Sequence, residues 1–464
     1  MILNDVHSRL NPTEVAGVVR PTDEGGVIRV LCEVAARGGS VCAFGGRHAM
    51  GGQQFVSGGV ALDTSGLCGV EGFDPERGLI RVGAGIRWPA LVRAVREREV
   101  AGGPSWAIRQ KQTGADDLSL GGSVSCNAHG RGLTFGPMVE DVESLRVVRP
   151  GGEAVECSRG ENADVFRVVV GGYGLFGVIT VVTLRLVPRR AMRRRVDITD
   201  LDEAVSAIRR RVAEGSVYGD FQFAIDPEDG SFLRRGVLAS YEPAEGAVAD
   251  GGEADLPRDR WLDLLRLAHR EKGRAFQAYA EHYLSTHGRV YGSDDLQMST
   301  YIPSYAEYLA SARVGGEGEA EESLVISEVY VPPESLGNFF ESARRILRDG
   351  GSEVIYGTVR SIRRDTETAM PWASRDFACV IFNLRTVHTA EGIGRTRRSF
   401  ERLYDAALDL GGSFYLTYHR WARKDQLLRA YPMLPAVLER KRREDPRGVL
   451  RSDWYDHLAR TLGV

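Results

Sequence analysis

Apolar positions follow two different periods along this chain. From residue 15 to about 190, short apolar runs bounded by glycine or proline alternate with stretches of helical spacing, which predicts short strands interleaved with short helices. VAGVVRP (15–21) reads as a strand ending at a proline. Thr22 or Asp23 can cap a helix over residues 24–37, closed by Gly38 and Gly39. SVCAF (40–44) and GVALDT (59–64) read as further strands. GVEGFDPERGLIRVGAG (69–85) is a hairpin turning at DPERG, and Trp88-Pro89 opens a helix reaching about Arg98. ESLRVVRP, a GGE turn and EAVECS form a second hairpin. GVITVVTLRLVP (177–188) is almost continuously apolar, as in a strand buried on both faces.

The pattern changes after Pro188. The basic run RRAMRRR reads as a solvated linker, and DITDLDEAVSAIRRRVAEG as an amphipathic helix with Asp200 near its start. Strands are predicted at SLVISEVYVP (323–332), EVIYGTVRSI (353–362) and ACVIFNLRTV (378–387), with a helix at ESLGNFFESARRILRDG (334–350). Acidic, glycine-rich segments at 241–259 and 314–323 read as mobile loops. Residues 411–464 change character again, from GGSFYLTYHRWA to an amphipathic helix. The chain shows no internal repeat. These shifts divide it into residues 1–190, 191–410 and 411–464.

A length of 464 residues favours two domains over one core. With 43% hydrophobic and 27% charged residues, the composition is globular. Basic and acidic residues number 60 and 63, so the balance lacks the basic excess of a nucleic-acid binder. The six cysteines have no CxxC spacing, which argues against a zinc or dithiol site; Cys32, Cys42 and Cys379 sit in apolar segments and are expected buried. No segment reads as a signal peptide or as a membrane span, so a soluble cytoplasmic protein is the expectation.

Glycine, at 55 residues, concentrates in three places with potential chemistry. FGGRHAMGGQQF (44–55) follows a buried strand; its glycines allow backbone N–H groups to face a pyrophosphate, with His48 mid-loop. A plain structural loop with a surface histidine fits the spacing equally, and neither the Rossmann nor the P-loop template applies. GADDLSLGGSVSCNAHGRG (114–132) is rich in small residues, from which His129 and Arg131 protrude. GGYGLFGVIT (171–180) is a glycine turn feeding a strand. Together they suggest an extended phosphate-bearing ligand lying across three strand ends.

With these motifs in place, the chain resembles the FAD-linked oxidases of the vanillyl-alcohol oxidase / p-cresol methylhydroxylase (PCMH-type) superfamily, over nearly its whole length. GGRHAMGG is similar to the family's flavin-linking loop, GGSVSCNAHGRG to its pyrophosphate- and ring-binding segment, and GGYGLFGVIT, the strand end RLVP and SDW (452–454) to the rest of its FAD domain. The motifs lie nearest those of alditol-oxidase-like and decaprenylphosphoryl-ribose-oxidase-like members. The resemblance implies an α+β, two-domain fold with a central αβ substrate domain, residues 411–464 returning to complete the FAD domain. It implies FAD contacts from Phe44, Gly45, Gly46, Arg47, His48, Ala49 and Gln53; from Gly114, Leu120, Gly121, Gly122, Ser123, Cys126, Asn127, Ala128 and Gly130; from Gly177, Val178 and Ile179; and from Tyr415. It also implies a covalent bond from His48 to the flavin, consistent with the nucleophilicity of a neutral imidazole.

On the substrate side, relatives carry S-E-V-R where this chain has SEVYVP, offering Glu328 and Tyr330 on one strand face. The flavin-touching lysine of relatives falls on Tyr418, leaving His419 or Arg420 to supply positive charge. Glu328 and His419 are the candidate base and positioner, and His129 is a candidate for the flavin's substrate side, with a satisfied buried histidine as the alternative. Asn383 and Arg360 are candidate substrate contacts, with an edge-strand asparagine and a structural ion pair as the alternatives. These residues favour oxidation of a hydroxyl on a sugar, cyclitol or sugar-bearing natural product, with molecular oxygen or another acceptor. C–N or C–C dehydrogenation and a flavoprotein without turnover are the competing readings.

Overall fold

The computed structural model describes residues 1–99, 102–245, 258–298, 305, 307–310 and 320–464. The loops expected at 241–259 and 314–323 fall mostly outside these residues; their described ends, Tyr241 to Pro243 and Glu322 to Ser323, belong to strands.

The first region holds two sheets. Gly17–Val19, Val60–Asp63 and Val41–Phe44 form a parallel sheet in that order. Asp23 caps the connecting helix Glu24–Ala36 by accepting the Gly26 N–H at 2.6 Å. The helix buries Val27 and Leu31 against Val41 and Leu62; Cys32 points to solvent, because only every third or fourth position of this amphipathic helix faces the sheet. The expectation of a buried Cys32 is thereby corrected, whereas Cys42 and Cys379 are buried.

The second sheet is antiparallel, ordered Ala154–Ser158, Val142–Val148, Val178–Pro188, Leu79–Gly83, Val70–Asp74, with Trp106–Ile108 paired to the far end of the long strand. Residues 178–184 of that strand are all buried, as its unbroken apolar run predicts.

The central region is one eight-stranded antiparallel sheet, ordered Val290–Gly292, Ala191–Asp200, Arg235–Pro243, Tyr218–Phe223, Glu353–Ile362, Phe377–Val387, Glu322–Val331, Ser413–Phe414. Helices Leu336–Gly350 and Ala390–Asp409 cover one face, where Phe223, Phe339, Phe340 and Phe382 interlock. Lys272–Ser285 packs through Phe276, Tyr279 and Ala280 against Val196 and Val237.

The basic run is a correction: it is no linker but the start of strand Ala191–Asp200. Strand alternation exposes Arg193 and buries Arg194. Arg194 lies 4.8–5.3 Å from the ring centres of Tyr241, Tyr283 and Tyr291 and donates to Thr286 Oγ1 at 3.0 Å. Aromatic faces and hydrogen bonds together make burial of this charge tolerable.

Residues 445–454 return to the first region. The Val41 N–H donates to the Val449 carbonyl at 2.6 Å, and Leu450 joins the core of the parallel sheet. Asp453 accepts from the Ser57 N–H and Oγ, each at 2.8 Å, and the Trp454 ring lies 4.7 Å from that of Tyr173. Among the described residues, no helix is long and apolar enough to cross a membrane.

Candidate active site

A cleft of about 1530 Å³, its mouth included, runs between the glycine loops of the first region and the central sheet. Its two walls are built differently.

The first wall is mostly backbone and small side chains. Loop 45–54 leaves strand Val41–Phe44, and helix Leu120–Ser125 is capped by the Ser119 Oγ, which accepts the Gly122 N–H at 3.2 Å. A methyl group on Gly45 would stand 2.0 Å from Ser119 Oγ, so the two loops approach as only glycine permits. Arg47, Asn127 and Tyr173 hold left-handed φ values of 58°, 49° and 51°, conformations uncommon outside glycine that mark loops held by their surroundings. A close-packed loop set with peptide groups along an open cleft fits an extended ligand carrying phosphates.

His48 faces this cleft. Its Nε2 lies 3.1 Å from the Asp117 carbonyl, which can only accept, so Nε2 carries the hydrogen. Its Nδ1 therefore presents a lone pair to His7 Nε2 at 2.7 Å. Burial pushes His48 down to about 4, with the Asp117 carbonyl acting in the opposite direction. The ring is thus neutral and nucleophilic near neutral pH.

The second wall is a sheet floor of side chains from three neighbouring strands. Register places Ile326, Asn383 and Tyr356 in one cross-strand row, Glu328, Ile381 and Thr358 in the next, and Tyr330, Cys379 and Arg360 in a third. All nine share a face because each row is two residues from the last. Glu328, 2% exposed, sits at the centre. Its Oε1 accepts from His129 Nε2 at 2.8 Å and from the Tyr330 hydroxyl, and its Oε2 from the Tyr418 hydroxyl at 2.9 Å. Burial raises its pKa, but His129 and the two tyrosines outweigh it, so the net shift is downward and Glu328 is a carboxylate. His129 Nδ1 stands 3.1 Å from the Gly130 carbonyl, so both ring nitrogens face oxygen acceptors. Tyr330 stacks on Trp372 with ring centres 4.6 Å apart, and the Tyr415 hydroxyl donates to the Cys126 carbonyl at 2.7 Å, which ties floor to loops.

Of the residues singled out from the sequence, most meet at this cleft. Phe44, Gly45, Gly46, Arg47, Ala49, Gln53, Gly114, Gly121, Gly122, Cys126, Ala128, Gly177, Val178, Ile179 and Tyr415 line it, as do His129, Glu328, Arg360, Asn383 and Tyr418. Leu120, Ser123, Asn127 and Gly130 lie behind the lining; Asn127, for example, donates to Asp365 Oδ2 at 3.0 Å and accepts the Val139 N–H. Tyr330 is fully buried beneath Glu328 and does not reach the open space.

His419 and Arg420 are not brought to the cleft. Strand Ser413–Phe414 ends before them, and the turn carries both away from the cleft, His419 into a buried position. His419 stacks on Trp421 at 4.2 Å, and burial pushes it down to about 3. Arg420 donates to the Asp453 carbonyl at 3.1 Å, a contact with the returning segment. Sequence reasoning missed His7, Tyr173, Tyr356 and Thr358. Tyr173 carried a signal, as the large residue inside GGYG; Tyr356 and Thr358 become site residues only through strand register, and His7 only because a bend near the start of the chain sets it beside His48.

Comparison with known proteins agrees with this geometry. Residues 15–158 match the family described as FAD binding domain. Over 179 residues the chain is 31% identical to L-gulono-1,4-lactone dehydrogenase of Mycobacterium tuberculosis, covering 39% of each chain. Over 256 residues it is 34% identical to cytokinin dehydrogenase 1 of Oryza sativa subsp. japonica, covering 52% of this chain and 46% of that one. It is 32% identical over 151 residues to the mitochondrial L-galactono-1,4-lactone dehydrogenase 1 of the same plant, covering 31% and 25%. The chain thus spans less than half the length of these relatives.

Proposed function

Because the chain belongs to the PCMH-type FAD-binding oxidoreductase superfamily, we propose that it oxidises a hydroxyl group of a sugar, cyclitol or sugar-bearing natural product. The observation that carries this reading is the Glu328 carboxylate, held by three donors on a polar sheet floor that faces the glycine loops. When bound, FAD supplies the two-electron acceptor for a hydride leaving the hydroxyl-bearing carbon. The glycine loops hold the pyrophosphate, and Tyr415 and Cys126 fix the loop nearest the floor. Glu328 Oε2 accepts the substrate's hydroxyl and takes its proton as the carbon–oxygen double bond forms. His129 and Tyr330 keep that carboxylate ionised and aimed, and Asn383 and Thr358 offer hydrogen bonds to neighbouring hydroxyls.

Covalent attachment of FAD through His48 is part of the proposal, supported by the neutral ring and its place in the cleft. Molecular oxygen is the proposed final acceptor. Six unpaired cysteines accord with a reducing compartment, and the cytoplasm is the proposed location.

Two measurements test this. Acid precipitation of the purified protein should give a yellow pellet; a yellow supernatant over a colourless pellet would remove the covalent bond. Polyols, cyclitols, aminosugars or nucleosides should bleach the flavin without air; bleaching only by amines or alkenes would replace alcohol oxidation with C–N or C–C dehydrogenation.

A further inference from the structure

The sheet floor carries one charge that nothing in the described protein answers. Arg360 is 7% exposed and lines the cleft, yet among the described residues it makes no hydrogen bond or ion pair, and its Nε is sealed from solvent without a partner. Burying an unpaired guanidinium is costly, so its retention calls for a partner that arrives from outside.

The nearby carboxylates do not fill that role. Glu328 already answers three donors, His129, Tyr330 and Tyr418, and forms no ion pair with Arg360. Asp220 stands opposite Arg360 on the next strand, by the register pairing Phe221 with Val359 and Gln222 with Thr358. It forms no ion pair with Arg360 and accepts only a 3.3 Å contact from Gln222, its Oδ1 remaining bare. The neighbouring cations have their own partners, Lys111 with Asp116 at 2.8 Å and Arg131 with the Tyr241 hydroxyl at 3.5 Å and the charge of Asp220, so Arg360 is left over. Lys111 is pushed down to about 8, by burial first and by Arg131 and Arg360 in part, while Asp116 opposes the shift.

We propose that Arg360 pairs with an oxyanion, a carboxylate or phosphate, carried by the substrate itself. The inference rests on the oxidoreductase reading of this cleft and narrows its substrate class to acid-bearing polyhydroxyl compounds. Glu328 and Arg360 lie on the same face, two strands and one row apart, roughly 10 Å across the sheet and about 7 Å along it. Their side chains shorten that gap, leaving room for a few carbon atoms between the hydroxyl at Glu328 and the acid at Arg360. The planar guanidinium fork suits two parallel hydrogen bonds to either oxyanion.

The test measures binding, not turnover, by calorimetry on the FAD-loaded protein. D-Gluconate, D-glucose 6-phosphate and inorganic phosphate are the oxyanion probes, and D-glucitol is the neutral reference. At least one oxyanion should bind about tenfold or more tighter than glucitol, and the two sugar arms separate carboxylate from phosphate. Arg360→Gln should erase that preference and Arg360→Lys retain part of it. The proposal is overturned if glucitol matches the acids, if no oxyanion binds up to about 10 mM, or if the preference survives in Arg360→Gln. It is also overturned if that variant shifts the flavin reduction potential while leaving the acid preference intact, which would set Arg360 against the cofactor. Wild-type selectivity alone decides the matter should a variant fail to fold. Absence of flavin bleaching would sink the oxidation reading without touching this binding result.

Discussion

The two walls of the cleft solve different problems. The glycine-loop wall presents peptide groups and small side chains to the cleft, and its residues come as three contiguous segments. The sheet floor presents single side chains from strands 322–331, 353–362 and 377–387, and its rows exist only once register is set. The loop wall tolerates little added volume, and the floor places a buried carboxylate and a buried guanidinium where a change of charge would be felt. On the proposed reading, cofactor binding falls to the loop wall and substrate choice to the floor.

Glu328→Gln is the strongest test of that separation. It should lower turnover about 10²-fold or more while FAD content stays at the wild-type level. Loss of FAD in this variant would show that the floor also holds the cofactor. Its carboxylate should be needed in the ionised form, so activity should fall as pH drops below Glu328's depressed pKa, beneath 4.5, and stay flat with respect to this group above it.

Gly45→Ala attacks the other wall. The new methyl would meet Ser119 Oγ at 2.0 Å, and overpacking of this kind should weaken FAD retention about tenfold or more. Adding Ser119→Ala should restore part of it, as read by flavin absorbance after gel filtration. Unchanged retention would mean that the loops are freer to separate than their packing suggests.

His48→Ala should be milder, slowing turnover about tenfold and leaving FAD soluble after acid precipitation. Flavin still bound to the precipitate would place the link elsewhere.

The smallest effect concerns stability. Burial holds His48 at about 4 and His269 and His419 at about 3. The unfolded chain takes up these protons below about 6.5 and the folded chain does not, so stability should decline as pH falls from 6.5 toward 4. Each histidine contributes up to about 1.4 kcal/mol per pH unit in that window. Urea midpoints across it should show His48→Ala with a shallower decline than wild type; an equal slope would mean that His48 is solvated in solution.

The same contrast explains what could be read from the chain alone. Helix Glu24–Ala36, both hairpins of the second sheet and the strand Val178–Pro188 follow local signals, and so do the three glycine segments. Glu328 was legible through the SEVYVP strand. His419 was not, because whether a side chain beyond a two-residue strand turns inward depends on a bend that local pattern does not encode. Arg194 misled for a related reason: five arginines in seven residues look solvated, and only the tyrosines of two distant strands and a helix reveal the buried one.

The strand contact between Val41 and Val449 also has a consequence for how the protein is made. A ribosome adding about 5–20 residues per second separates these partners by roughly 20 to 80 s. Throughout that interval the parallel sheet lacks Leu450 from its core, and loop 45–54 lacks the Asp453 anchor at Ser57. The first region is therefore completed only after the whole central sheet has been translated.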